Sequence, residues 1–422
     1  MRHCRILFFI GLIFLTACTR MPVRTIILTN PHDHPLKDAC VVINRKDFRQ
    51  TDDSLYPVVL NDKKKVAIPA QADDLDDDGV WDELALLISL NAGEIFSGDI
   101  EWVKQQDYPD FPVRTNVYLG ISRNRDGHFT EVQKEVFPPD YECSTPYQYQ
   151  FEGVGWENDV IAFRTYCDRR NGKDIFGKTT SEMILPDVGK IENYHEFQSW
   201  GMDILKVGNS LGIGATGAKK NGVLYRLGDT RYHDFQVLAE GPVRSIFTLG
   251  FNGWSVDGDT LSATETITIT AGRNGYTNRF EITGNNVPDT LISGLSMLGI
   301  DGKPGFITVQ DWPGITLSGV NDLDNRFLGM AIFTKNPEGF SSGRTPKASE
   351  IYDIKSPEYQ AVKFHPQISD TYYLSTDGPV ANFYVFTLWE GRYPDVKTKK
   401  IFEEKVKEEM LSVKFVPEVM LR

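Results

Sequence analysis

The sequence predicts a mainly β protein: an N-terminal β-sandwich, then a larger antiparallel β-sandwich body, with one helix near the C-terminus. Three observations carry this. Short runs rich in β-branched and aromatic residues recur along the chain between Pro, Gly, Asn and Asp turns. Thr264-Glu265-Thr266-Ile267-Thr268-Ile269 alternates polar and apolar side chains, as a sheet with one wet face requires. Only 396–413 repeats its apolar residues at helical spacing.

Residues 1–17 read as a lipoprotein signal peptide. Arg2, His3 and Arg5 form a basic start, Ile6 to Leu15 is almost unbroken apolar text, and Leu15-Thr16-Ala17-Cys18 has the form of a bacterial lipobox. A membrane-spanning helix needs about 20 apolar residues, and this run stops well short. Cys18 is therefore the expected lipidated first residue of the mature chain, with the membrane met only through that anchor. Thr19 is not the aspartate that retains lipoproteins at the inner membrane, which favours an outer-membrane location, periplasmic or surface-facing.

Residues 18–135 are expected to form the N-terminal sandwich, with strands at Arg24–Thr29, Ala39–Asn44, Lys65–Pro69, Leu84–Leu90 and Thr115–Ser122. Residues 136–422 carry longer runs: Val243–Asn252, Leu261–Ala271, Asn278–Thr283, Leu291–Leu298, Phe327–Thr334, Tyr372–Ser375 and Ala381–Leu388. In Val396–Val413, the residues Ile401, Phe402, Val406, Met410 and Val413 lie on one helical face. No fixed-period repeat suggests a propeller or β-helix.

Composition and missing motifs narrow the function. Of 422 residues, 41% are hydrophobic and 24% charged, enough chain for a large core. A net charge of −13 without a dense basic run excludes nucleic acid as an expected partner. No phosphate loop, dinucleotide fingerprint, nucleophile elbow or zinc helix occurs, so no nucleotide cofactor is expected. The glycine-rich Leu211–Gly217 lacks the Lys and Ser/Thr of a phosphate loop and reads as a tight strand connection. Cys40, Cys143 and Cys167 remain in the mature chain, none in metal spacing, and read as buried thiols. His32-Asp33-His34 reads as a turn before Pro35.

Asp74-Leu75-Asp76-Asp77-Asp78-Gly79 sets carboxylates at alternate positions before a glycine, with Asp82 and Glu83 behind. All-oxygen ligands at that spacing suit calcium in a structural role, through Asp74, Asp76, Asp78 and Asp82. The match to an EF-hand is incomplete, because the twelfth loop position would be Ala85. A plain acidic turn is the competing reading.

The densest chemistry lies in 155–215. Trp156, Glu157, Arg164, Tyr166, Arg169, Arg170, Asp174, Lys178, Tyr194, His195, Trp200 and Asp203 crowd into strand-like text. Aromatic faces stack on sugars, guanidinium groups grip carboxylates, and a His beside a Tyr supplies two proton-transfer groups. A sugar cleft with Trp156, Trp200, Arg169, Arg170, Lys178 and Asp203 as binding residues is the expectation. A polar strand face with ordinary ion pairs is the alternative.

Trp156-Glu157-Asn158, Ala162-Phe163-Arg164-Thr165-Tyr166, Asp174-Ile175-Phe176-Gly177-Lys178, Tyr194-His195 and Trp200 to Gly208 together resemble a large secreted family of Bacteroidota-type glycan-utilisation systems, long labelled a domain of unknown function. The resemblance extends to Asp74–Glu83 and Gly241-Pro242-Val243-Arg244. It implies the activity described for that family, an ulvan-oligosaccharide dehydratase, which removes water from a non-reducing-end uronic acid and leaves a 4,5-unsaturated sugar. The long antiparallel runs with groove-lining aromatics also resemble the β-supersandwich of galactose mutarotases and several polysaccharide lyases.

Chemistry alone assigns the roles. Elimination beside a carboxylate needs a charge clamp, a base for the C5 proton and an acid for the C4 hydroxyl. Arg164 with Lys178 is the expected clamp, His195 the base, and Tyr194 or His233 the acid. Tyr194 and His195 can share a cleft only on a loop, since strand neighbours point to opposite faces. Two other classes fit the same residues: a non-catalytic glycan-binding lipoprotein, and a glycoside hydrolase drawing its carboxylates from Glu157, Asp174 and Asp203.

Overall fold

A computed structural model describes residues 22–138, 145–362 and 364–422. The signal segment with Cys18, and Cys143, lie outside the described residues. Among the described residues no helix is long and apolar enough to cross a membrane.

The fold is mainly β with several antiparallel sheets. In the N-terminal sandwich, a three-stranded sheet of Leu36–Asn44, Glu83–Leu90 and Ala70–Asp73 faces a four-stranded sheet containing Thr25–Thr29, Ile95–Lys104 and Leu55–Asn61. Ile26, Leu28, Val41, Phe48, Trp81, Leu84 and Leu86 fill the space between them. The fourth strand of that sheet is Glu418–Leu421 from the far end of the chain, paired with Thr25–Thr29.

Two expectations for this region need correction. Lys65–Pro69 is no strand: Lys65 adopts a left-handed φ of 53°, only Ala67 bridges to Leu60, and the strand starts at Ala70. The boundary near 135 falls too late, because Thr115–Tyr118 already pairs with Gly153–Asn158 and Lys134–Phe137 with Tyr232–Ala239. Both runs follow the sandwich strand Ile95–Lys104, and their partners belong to the large body.

That body is one ten-stranded sheet facing two five-stranded sheets. The long strands Arg244–Val256, Asp259–Thr270 and Gly275–Thr283 pair in sequence, and Gly275–Thr283 then pairs with Val380–Trp389. Alternation is as the sequence demands: Leu261, Ala263, Glu265, Ile267 and Ile269 are buried, while the residues between them stay partly wet. A single core gathers Phe247, Ile267, Phe280 and Val385 of the large sheet with Trp156, Phe163 and Ile175 of one smaller sheet and Ile213, Leu291 and Leu374 of the other. Tyr384 and Phe386 point the other way, onto Phe402, Val406 and Met410 of the helix Lys399–Lys414. Thr398 caps that helix by accepting from the Ile401 N–H.

The glycine-rich 211–217 lies where the smaller sheets meet. Gly212 takes φ of 63°, and a Cβ there would fall 1.8 Å from the Lys173 carbonyl oxygen. No other residue allows that approach.

Candidate functional site

The site stands on the outer face of the five-stranded sheet of Thr115–Tyr118, Gly153–Asn158, Ala162–Tyr166, Lys173–Lys178 and Gly201–Asp203. Strand alternation sorts its residues. Trp156, Phe163 and Ile175 go into the core, while Glu157, Arg164, Asp174 and Phe176 go outward beneath the connection 179–200. Ile184, Leu185 and Val188 anchor this connection, and Tyr194 and Trp200 pack beside them. Gly155 makes room, since a Cβ there would meet the Leu185 side chain at 2.9 Å.

Arg164 and Asp174 are direct cross-strand partners, and Asp203 pairs opposite Phe176 on the next strand. The Arg164 guanidinium, 1% exposed, therefore sits between two carboxylates, 2.7 Å from Asp174 Oδ2 and 3.0 Å from Asp203 Oδ2. It also donates to the Tyr166 hydroxyl at 2.9 Å, the Phe151 carbonyl at 2.9 Å and the Tyr194 hydroxyl oxygen at 3.2 Å. Burial raises the Asp174 carboxyl above the usual range, and neighbouring Asp203 adds to this while Arg164 opposes it.

Tyr194 and His195 lie on a turn rather than a strand, so their rings meet, 4.4 Å apart. The His195 ring is 63% exposed, yet its Nδ1 lies 3.3 Å from the buried Asp203 carboxylate. That hydrogen bond raises the imidazole pKa above 6.5 against opposition from burial and Arg164. Burial raises the Tyr194 phenol, with Arg164 pulling back. The result is an exposed base and a protonated phenol side by side over a buried cluster of one guanidinium and two carboxylates.

The structure thus brings Arg164, Tyr194, His195 and Asp203 together, with Asp174 and Tyr166, but reassigns several residues. Arg164 cannot clamp a substrate carboxylate, because its donors are committed and its surface is lost to solvent. Lys178 is wholly buried against Glu157 at 2.7 Å and donates to the Asn158 carbonyl, so it is no helper either. Glu157 also accepts from the Ile184 and Leu185 N–H groups, which makes this pair an anchor for the 179–200 connection. Trp156 is fully buried against Phe163 and Tyr276 and cannot stack on a sugar. His233 sits on the large sheet, stacked between Phe137 and Phe251; burial lowers its pKa to about 4, leaving it a neutral packing group. Asp203 holds His195 and Arg164 rather than a ligand.

Trp200 is half-buried, edge-on to Phe176, and keeps an open surface. Arg170 is bound through two nitrogens to Asp168 and lies 3.9 Å over the Tyr166 ring, bracing the cluster from below. Arg169 lines a different cleft. The sequence reading missed Phe197 and Arg326. The half-exposed Arg326 guanidinium lies 4.8 Å over the Phe197 ring, two residues beyond His195, and donates to Asp324. The only sequence signal was an aromatic in the Tyr194–Trp200 run; Arg326 arrives from a distant hairpin.

In the acidic loop, carboxylate oxygens of Asp74, Asp76 and Asp78 come within 4.8 Å of one another. Asp74 accepts from the N–H groups of Asp77, Asp78 and Gly79, which curls the backbone around it. Burial raises the Asp76 pKa, and Asp78, Asp82 and Asp74 add repulsion. That donor set fits a hard cation. Asp82 stands outside the trio, its Oδ2 accepting from the Leu75 N–H at 2.7 Å.

Comparison with known proteins places the chain. It is 24% identical over 376 residues to "Uncharacterized protein P7" of Formosa agariphila, covering 83% of this chain and 85% of that one. An α-mannosidase of Enterococcus faecalis V583 superposes with a TM-score of 0.48 at 8% identity over 95% of this chain. A second Enterococcus faecalis protein, in glycosyl hydrolase family 38, gives 0.47 at 8% identity over the same share. The chain spans about half the length of these two structures, 46% and 47%. The family described as "Domain of unknown function (DUF4861)" matches residues 28–419, and the chain belongs to it.

Proposed function

We infer that the protein is a carbohydrate-active enzyme, a hydro-lyase that removes water from the non-reducing-end uronic acid of an anionic, ulvan-like oligosaccharide. The observation that carries this reading is the Tyr194–His195 pair, one ring solvent-facing and tied to Asp203, the other held by Arg164. His195 takes the C5 proton, the electron pair forms the C4=C5 bond, and the C4–O bond breaks. Tyr194 gives its proton to the departing hydroxyl, which leaves as water. Arg164 Nη1 then faces a tyrosinate at 3.2 Å and stabilises it until the imidazolium beside it returns the proton. Arg326 beside Phe197 is the cation for the uronate carboxylate.

The hydrolase reading lacks its carboxylates. Glu157 is buried on Lys178, and Asp174 and Asp203 share one guanidinium instead of flanking a bond. We assign the Asp74, Asp76 and Asp78 loop a structural calcium and the N-terminal cysteine a lipid anchor.

Incubation with uronate-terminated oligosaccharides tests the reaction. The expected result is new enol-ether absorbance together with a mass loss of one water. New reducing ends without absorbance would mark a hydrolase, and neither signal a binding protein.

A further inference from the structure

A second cleft, about 870 Å³, opens on the other five-stranded sheet, between the edge strands Val223–Arg226 and Ser341–Arg344. Lys219, Arg226 and Arg344 line it, and Asp229 is the one carboxylate among its described lining residues. In a chain of net charge −13 this is a local reversal of sign.

Arg226 is the unusual member. It is 5% exposed, and its guanidinium donates only to neutral oxygens, the carbonyls of Arg170, Ser210 and Asn209 and the Asn209 side chain. Among the described residues its Nε has no hydrogen-bond partner and it forms no ion pair. Burying a cation is costly: desolvation and the nearby Arg170 charge work against Arg226, Asp168 helps only at a distance, and no carboxylate is hydrogen-bonded to it among the described residues, so its charge projects a positive field into the cleft. Lys219 and Arg344, at the rim, also form no ion pair among the described residues. Tyr225, Phe364 and Tyr373 supply ring faces on the same walls, with the Phe364 ring 5.9 Å from the Arg226 guanidinium carbon.

We propose that this cleft binds a sulfated or carboxylated sugar unit, its anion directed to Lys219 and Arg344 under the field of the buried Arg226 and its ring laid on Tyr225 or Tyr373. The saccharide class rests on the reading given under Proposed function, whereas the recognition of an anion does not.

Titration calorimetry at low ionic strength tests it with four probes: inorganic sulfate, a sulfated uronate disaccharide, the neutral disaccharide, and a single-stranded oligonucleotide. The sulfated disaccharide should bind at least tenfold more tightly than sulfate or the neutral sugar. Lys219→Glu with Arg344→Glu should weaken it tenfold or more. Tyr373→Ala should weaken the disaccharide and leave sulfate unchanged. His195→Ala should bind it like the wild type, so lost turnover with intact binding bears on the elimination alone. Circular dichroism verifies folding, and the two cation substitutions sit at half-exposed and exposed positions. Unchanged affinity after the charge reversal, sulfate as tight as the disaccharide, or preference for the oligonucleotide would overturn the proposal.

Discussion

Asp203 does two jobs with one carboxylate. Its Oδ2 lies 3.3 Å from His195 Nδ1 and 3.0 Å from Arg164, so it raises the basicity of an exposed ring while itself held by a buried cation. His195 must be neutral to take a proton, so activity should rise as pH passes a pKa above 6.5. Asp203→Asn removes the main cause of that shift, and the His195 titration followed by NMR should move down. His195→Ala and Tyr194→Phe should each cost about 10²- to 10⁴-fold in turnover with binding kept. Wild-type rates in either would disprove the assignment. Arg164→Ala is expected to act on stability first, because it strands two buried carboxylates; the usual cost is about 3–5 kcal/mol, readable by denaturant unfolding. His233 works in the opposite pH sense. Its folded pKa of about 4 lies below 6.5, so its contribution is complete above 6.5 and is lost as pH falls from there. His233→Phe should flatten that acid limb.

Two short elements control larger ones. Gly201 begins the strand that carries Asp203, with φ of 132° and a built Cβ only 1.7 Å from the Gly177 carbonyl oxygen. Gly201→Ala must push that strand from its neighbour, so both melting temperature and turnover should fall; a fully active, equally stable variant would show that Asp203 placement does not matter. The acidic loop is the second. Calcium should raise the melting temperature, and Asp76→Ala with Asp78→Ala should abolish that response while turnover persists. A chelator without effect on the wild type would rule out the structural ion.

At the scale of the whole molecule, the first and last strands of the described residues pair with each other. Glu418–Leu421 pairs with Thr25–Thr29, and the helix Lys399–Lys414 covers the outer face of the large sheet. Removing 416–422 leaves Thr25–Thr29 as an open edge. Hydrogen exchange should then quicken there and along Ile95–Lys104, while Asp259–Thr270 in the large core stays protected. Equal protection in both forms would mean the terminal strand adds nothing.

The local pattern by itself determined the β class, most strands after 243 and the C-terminal helix to within three residues, whereas the turn that lets Tyr194 and His195 meet was decided only by the tertiary structure. Periodicity reports burial, and these elements are long enough for burial to write a repeat. It could not tell which charges face water. Trp156 and Trp200 look alike in text, yet the alternation of one strand sends Trp156 inward, while Trp200 lies at a loop end. Arg164, Lys178 and Glu157 read as ligand groups because charged residues in a strand usually face solvent. Here the 179–200 connection covers that face, and tertiary burial forces each charge to find a partner. Arg326 and the Arg226 cleft were invisible for the same reason: both are assembled from segments more than a hundred residues apart, and only folding brings their charges to one place.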